Sequence, residues 1–219
     1  MIKRLLKRLW KDEKGITGLE TAIILIAFVV VAAVFAYTVL SAGLFATQKS
    51  QEAVYSGLKE AQASLELRSG VIATANTTGA SGTIQQISFI VSNAIGGEPL
   101  DFTGPTANTT GNSGLASDNS SNKVVISYVD QDQLRDDLYW FVTKLGSADE
   151  DDLLEQHEKF MITVGSSSVG ADGGNLINAL GTALSVNKQF SLIVSTPVGA
   201  VLEIERTTPA YIDTIMNLH

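Results

Sequence analysis

"KDEKGITGLETAIILIAFVVVAAVFAY", Lys11 to Tyr37, sets a charged, glycine-marked junction directly against a long apolar run. From Thr21 to Gln48 no residue carries a charge, a stretch of about 28 residues where roughly 20 suffice to span a bilayer as a helix. Ile, Leu, Phe and Val dominate its first two-thirds, and their summed transfer energy favours insertion by several kcal/mol. A secretory signal peptide has a different pattern: an apolar region of about 7–15 residues, followed by a small-residue cleavage site. Here the run is longer, and the candidate processing site, Lys14-Gly15-Ile16, precedes it. Cutting there removes a basic leader and leaves the hydrophobic helix on the mature chain.

The leader, "MIKRLLKRLWK", places Ile2, Leu5, Leu6, Leu9 and Trp10 on one helical face with its basic residues largely opposite. Such a helix lies on an anionic membrane surface. Its positive charge stays cytoplasmic, so the remainder of the chain is expected outside. The alternative is an ordinary amphipathic helix packed on a globular core. Within residues 1–15, six basic side chains face two acidic ones, so their removal takes the net charge from −8 to about −12. A body that acidic repels nucleic-acid phosphates, and no nucleic-acid partner is expected. Cysteine is absent, which excludes a disulfide scaffold and a Cys-based metal site.

Beyond Gln48 the helix is expected to continue with a different face. In "KSQEAVYSGLKEAQASLELRSG", Val54, Leu58, Ala61 and Leu65 recur at helical spacing among charged residues. Gly70 offers a C-terminal stop. One helix from about Gly18 to Ser69 would be roughly 75–80 Å long, more than a small domain can bury. Gly43 and Gly57 read either as flexible points or as tolerated losses of about 1 kcal/mol each.

The segment "KGITGLETAIILIAFVVVAAVFAYTVLSAGLFATQKSQE" resembles the N-terminus of archaeal flagellins, or archaellins, relatives of type IV pilins. The resemblance covers about the first 50 residues. It rests on the basic residue and glycine before the cut (Lys14, Gly15), the hydrophobic first mature residue (Ile16), Gly18 at the third mature position, Glu20 at the fifth, and the "AFVVVAAVFAY" run. It implies cleavage between Gly15 and Ile16 by a membrane-embedded prepilin-type peptidase. Extraction by an assembly ATPase and membrane platform would follow, then polymerisation with copies of itself or with other archaellins. In that family the fifth-position glutamate is thought to neutralise the new N-terminal amine of a neighbour. The local reading of Glu20 differs: Thr17 to Glu20, "TGLE", is a capping-box pattern, and an acidic group in a first turn complements the helix dipole.

From Gly70 the composition shifts to Ser, Thr, Asn, Gly and alternating apolar residues. "TIQQISFIVSNAIGG", "NKVVISYVDQ", "KFMITVG" and "NKQFSLIVS" read as strands, and "AVLEIERT" pairs with the last across a turn holding Pro197 and Gly199. Residues 132–145 and 174–184 are ambiguous between short helix and strand. The expected fold class is α+β: a long N-terminal hydrophobic α-helix followed by a β-sandwich or barrel outer domain, immunoglobulin-like if the resemblance extends that far. The expected organisation is a prepilin-like (class III) signal peptide over 1–15 and a filament-core helix over 16–69, apolar in 21–48 and amphipathic in 49–69. A β-rich, surface-exposed domain over 70–219 follows.

"ATANTTGASGT" and "TGPTANTTGNSGLASDNSSN" read as loops and carry three N-glycosylation sequons, at Asn76, Asn108 and Asn119. Archaellins are commonly N-glycosylated, so the resemblance implies N-linked glycans and an oligosaccharyltransferase partner. The run "SADEDDLLEQHEKF" offers Asp149, Asp151 and Asp152 as hard oxygen ligands for a Ca²⁺ ion, but it lacks the spacing and turn glycine of an EF-hand, and a solvated acidic turn is the preferred reading. "VDQDQLRDDLYW" could likewise gather Asp130, Asp132, Asp136 and Asp137. "GADGGN", Gly170 to Asn175, lacks the Lys-Ser/Thr of a phosphate loop and reads as a turn; His157 and His219 stand alone. No nucleophile or metalloprotease motif occurs, and no enzymatic activity or required cofactor is expected.

The function implied is a structural subunit of the archaellum filament, serving swimming and surface adhesion. It would be membrane-inserted as a precursor and then extracellular, with Ala32, Ala33, Ala36 and Ala42 allowing close helix approach. The rivals are an adhesive pilin-like filament subunit without a rotary motor and a permanently anchored surface protein.

Overall fold

A computed structural model describes residues 2–62, 64–94, 98–108, 113–166 and 174–218, without the side chains of 2–17, 60 and 62. The chain divides into two compact units, Met1–Tyr55 and Ser56–His219. The first is the bulk of helix α1, Ile2–Gln62, which runs unbroken for 61 residues through Gly18, Gly43 and Gly57. None of those glycines interrupts it.

The second unit contains strands β1 Leu65–Leu67, β2 Val71–Thr77, β3 Thr83–Asn93, β4 Leu100–Asp101, β5 Val125–Asp130, β6 Leu134–Arg135, β7 Trp140–Leu145, β8 Leu153–Leu154, β9 Lys159–Val164, β10 Gln189–Ser195, β11 Leu202–Thr207 and β12 Ile215–Leu218, with a one-turn helix α2 at Leu176–Ala179. The larger sheet runs β12-β2-β3-β9-β7 with β1 also on β3, and the smaller runs β11-β10-β5-β6; among the described residues every strand pairing in them is antiparallel.

The register shows how the sequence makes a sandwich. Met216, Ala73, Ile87, Val164 and Trp140 stand opposite one another across β12, β2, β3, β9 and β7, and Ala73, Ile87, Val164 and Trp140 are buried. Ile204, Leu192 and Tyr128 form the matching inward row of the smaller sheet. Both rows belong to one core, in the two-layer arrangement that buries one face of each sheet. Phe102 presents edges to Trp140 and Phe160, with centroids 6.1 and 5.9 Å away, and Tyr128 stacks on Phe190 at 5.8 Å. The fold class is as expected, a long apolar helix followed by a β-sandwich.

Two boundaries differ from the sequence reading. The helix ends at Gln62 and not near Ser69, and the β-region begins at Leu65 and not at 70. Leu65, which fits the helical spacing, also fits a strand, and pairing with Asn93 on β3 buries it. Tertiary burial outweighs a three-residue helical preference. Gly70 is accordingly no helix stop. It lies in the break between β1 and β2, where an added Cβ would sit 2.5 Å from the Asn217 amide.

"ATANTT" is strand, not loop: Val71–Thr77 is β2, paired on both sides by β3 and β12. Register shifts beside Ala75 disturb this strand, and on β3 the inward positions Ile84 and Ile87 fall three apart, as a bulge requires. Gly165, at φ +87, lies against that bulge; a Cβ there would meet the Gln85 carbonyl oxygen at 2.9 Å. The ambiguous segment 132–145 resolves as β6 and β7. Within 174–184 the chain makes α2, whose Asn175 and Asn178 side chains form a reciprocal capping box.

Candidate assembly surface

From Gly18 to Gln51 every side chain of α1 is exposed. Leu40 is 74% exposed, and Phe28 and Tyr37 are each 72% exposed. Gly18–Lys59 is long and apolar enough to cross a membrane by length and composition, and none of its most apolar stretch is buried within the chain. Each such Leu, Ile, Phe or Val gains about 1.5–3 kcal/mol on leaving water. A helix apolar on all sides is stable only inside something else.

Two hydroxyls along this surface are satisfied within the helix. Thr38 Oγ1 donates to the Phe35 carbonyl and Thr47 Oγ1 to the Leu44 carbonyl, both at 2.8 Å. The helix backbone and these two hydroxyls thus ask nothing of a dry environment. The character changes at Lys49, whose Nζ pairs with Glu52 Oε2 at 2.6 Å. An added Cβ at Gly18, Gly43 or Gly57 would meet nothing within 4 Å. The chain's own packing therefore gives no reason for glycine at these sites.

Lys14, Gly15, Ile16 and Thr17 lie in helical backbone, with their side chains outside the described set. Gly18 and Glu20 are exposed. The capping-box reading of Thr17 and Glu20 does not hold in the uncut chain: α1 starts at Ile2, so Thr17 is interior to the helix and its amide has the usual intrahelical partner.

The remaining candidates scatter over the second unit. Asn76 is exposed on β2 beside the Ala75 irregularity, with Thr78 exposed after it. Asn108 follows the Ala107–Ala116 bridge, and its backbone N–H donates to Leu115; the other residues of its sequon, Thr109 and Thr110, lie outside the described residues. Asn119 is exposed in a turn closed by the Ser120 N–H donating to the Ser117 carbonyl.

The acidic run organises its own loop. Glu158 is buried, and its two carboxylate oxygens accept the Asp149 and Glu155 N–H groups at 3.1 and 2.9 Å. Asp149 accepts from the Asp151 N–H, Asp151 accepts from the Leu153 N–H, and Asp152 pairs with Lys144 at 3.1 Å. No group of three His, Cys, Asp or Glu residues among the described residues is placed to hold a metal ion. His157 lies in this loop at φ +74 and is exposed; His219 and most of "GADGGN" lie outside the described residues, while Asn175 caps α2.

Asp130 is likewise structural. Tyr128 Oη donates to it at 2.8 Å, and the Asp132 and Gln133 N–H groups at 2.7 and 2.9 Å. Burial pushes its carboxyl up, but these hydrogen bonds outweigh that and hold it below the usual carboxylate range. Asp132 pairs with Lys188 at 2.6 Å. The sequence reading missed Gln133, whose Oε1 accepts the Gly181 and Thr182 N–H groups; nothing in its neighbourhood marks a residue 48 positions away as its partner.

Comparison with known proteins agrees with this geometry. The family model for archaeal-type flagellin matches residues 15–206. "Probable flagellin 1" of Archaeoglobus fulgidus is 38% identical over 216 residues, covering 96% of this chain and 98% of that protein. "Probable flagellin 2" of the same organism is 35% identical, covering 93% of each. Among solved structures, the archaeal flagellum of Methanospirillum hungatei strain JF1 superposes with a TM-score of 0.57 at 27% identity, covering 92% of this chain and 98% of that one. The chain, with its exposed apolar helix and its antiparallel sandwich, belongs to the archaeal-type flagellin family.

Proposed function

We propose that this chain is a structural subunit of the archaellum filament and polymerises through α1. It is a structural protein and not an enzyme. The observation that carries this reading is the apolar surface of α1, exposed on every side within the chain and attached to a fold shared with an archaeal flagellum structure. In the precursor that surface faces lipid. In the filament it exchanges lipid for the helices of other copies, where the hydrophobic effect no longer favours one over the other and close packing decides. Gly18 and Gly43, which no contact within the chain requires, are suited to such close approach.

The same reading includes removal of residues 1–15 by a prepilin-type peptidase, with Lys14, Gly15, Ile16 and Gly18 as its recognition residues. The start of the family match at Gly15 supports this boundary. An assembly ATPase and membrane platform then feed the mature subunit into an extracellular filament that drives swimming. Glu20 pairs with the Ile16 amine of a neighbour, and an oligosaccharyltransferase modifies exposed sequon asparagines. Mass spectrometry of sheared surface filaments tests the core of this: the N-terminal peptide should begin at Ile16. Recovery of peptides containing Met1 from filaments would overturn it.

A further inference from the structure

The face of the larger sheet that points away from the core has an unusual composition. Asn217, Ile72, Ser88, Thr163 and Phe141 stand opposite one another across β12, β2, β3, β9 and β7. Ile215, Thr74 and Gln86 form a parallel row on one side of these, and Ile90, Met161 and Thr143 form another on the other side. None of these residues is charged. Ile215 is 66% exposed, Ile72 42% and Phe141 38%. Charge returns at the β1 end of the sheet, with Glu66 on β1, Lys159 on β9, and Arg68, whose Nε donates to Ser92 Oγ at 2.8 Å and which pairs with Glu66 at 3.1 Å.

The outward face of the smaller sheet is different. Glu203 and Glu205 stand there opposite Ile193 and Ser191. In a chain of net charge −8, the bulk of the surface repels a second copy. The uncharged face can meet one without that cost. Three of its polar side chains have partners already: Ser88 Oγ and Thr163 Oγ1 are 3.0 Å apart, and Gln86 Nε2 donates to the Gly165 carbonyl at 3.1 Å. Covering the centre of the face therefore leaves these groups hydrogen-bonded, which lowers the desolvation penalty of burying it. This sheet is also the one that the assembly helix enters, since α1 ends at Gln62 and β1 begins at Leu65.

We propose that the outward face of the larger sheet, centred on Ile72, Ser88, Thr163 and Phe141, packs against a second copy of this chain in the filament. This rests on the filament reading above and adds to it a specific contact made by the outer domain. The smaller sheet's outward face, with Glu203 and Glu205, stays in solvent.

The absence of cysteine makes thiol protection a clean test. Full-length Ile215→Cys, Thr143→Cys and Glu203→Cys variants are expressed in a flagellated host lacking its own archaellin, and maleimide labelling is followed in sheared, purified filaments and in detergent-dispersed subunits. In filaments, the thiols at 215 and 143 should react about tenfold or more slowly than the thiol at 203, because a packed interface excludes solvent. In dispersed subunits all three should react alike. Equal labelling of the three in filaments would overturn the proposal, as would protection on cells that vanishes in purified filaments, which would make a different protein the occupant. Surface material that contains no polymer of this chain would instead overturn the filament reading itself.

Discussion

Ser69 Oγ accepts the Ile90 backbone N–H at 3.0 Å, in the gap where β3 passes from pairing with β1 to pairing with β2. On either side, β3 is served by backbone: the Arg68 N–H donates to the Ile90 carbonyl at 2.8 Å, and Ile72 stands opposite Ser88. One hydroxyl thus stands in for a ladder bond in the break between β1 and β2.

Ser69→Ala should therefore destabilise the second unit by about 1–3 kcal/mol, the usual penalty for stranding a half-buried backbone donor. Ser69→Thr, which keeps the hydroxyl, should lose much less. Urea unfolding of the full-length chain in detergent, followed by Trp140 fluorescence, measures both. Equal losses for Ala and Thr would mean that the hydroxyl is not what holds this junction.

That junction also marks the limit of what the sequence makes legible. The apolar run, the five longest alternating strands apart from β2 and β7, and the β10–β11 turn are all periodic signals that tertiary contacts reinforce. Strand β2 is not visible because "ATANTT" has the small polar composition of a loop, and only its neighbours β3 and β12 make it a strand. Leu65 satisfies helix and strand spacing alike, so its fate depends on β3, about 25 residues later. For the assembly surface the whole signal is local and apolar, and it reads directly. The uncharged outer face of the larger sheet could not be found this way, because its rows draw on five strands whose order the sequence does not state.

Asp137 presents the opposite case to Asp130. It sits at φ +54 with a buried Oδ1 lacking a partner among the described residues. Burial pushes its carboxyl above the usual range, offset in part by a hydrogen bond from Asn122. The unfolded chain then releases this proton before the folded one does. Stability accordingly falls as pH rises from about 3.8, the ordinary Asp value, through the raised folded value. Asn tolerates positive φ well and does not titrate. Asp137→Asn should thus melt at a higher temperature than the parent at neutral pH, and the gap should close below about pH 3.8. Calorimetry across pH 3 to 8 checks the slope as well as the sign, and a variant less stable than the parent at pH 7 would contradict it.

Asn76 is exposed on a strand, at an irregularity where the backbone is already released from regular pairing. A glycan there would need the Thr78 hydroxyl at the third sequon position. Asn76→Gln and Thr78→Ala should each remove one glycan mass from the purified subunit, while Thr78→Ser should retain it. Intact-mass spectrometry gives the answer directly. Unchanged mass in the Asn76→Gln and Thr78→Ala variants would restrict modification to Asn108 and Asn119.

Gly43 separates stability within one chain from stability between chains. Nothing lies within 4 Å of a Cβ added there, and glycine inside a helix costs about 1 kcal/mol relative to alanine. Gly43→Ala should therefore leave the dispersed subunit as helical as the parent or more so, by circular dichroism in detergent. If a neighbouring helix approaches closest at this position, the same methyl group meets backbone in the filament, and overpacking of that kind costs roughly 1–3 kcal/mol. Every copy in the polymer would carry that cost, so the filament's melting temperature should fall while the subunit's does not. Filaments of Gly43→Ala that melt with or above the parent would show that the helices stand apart at this level, and that the glycine serves something other than their packing.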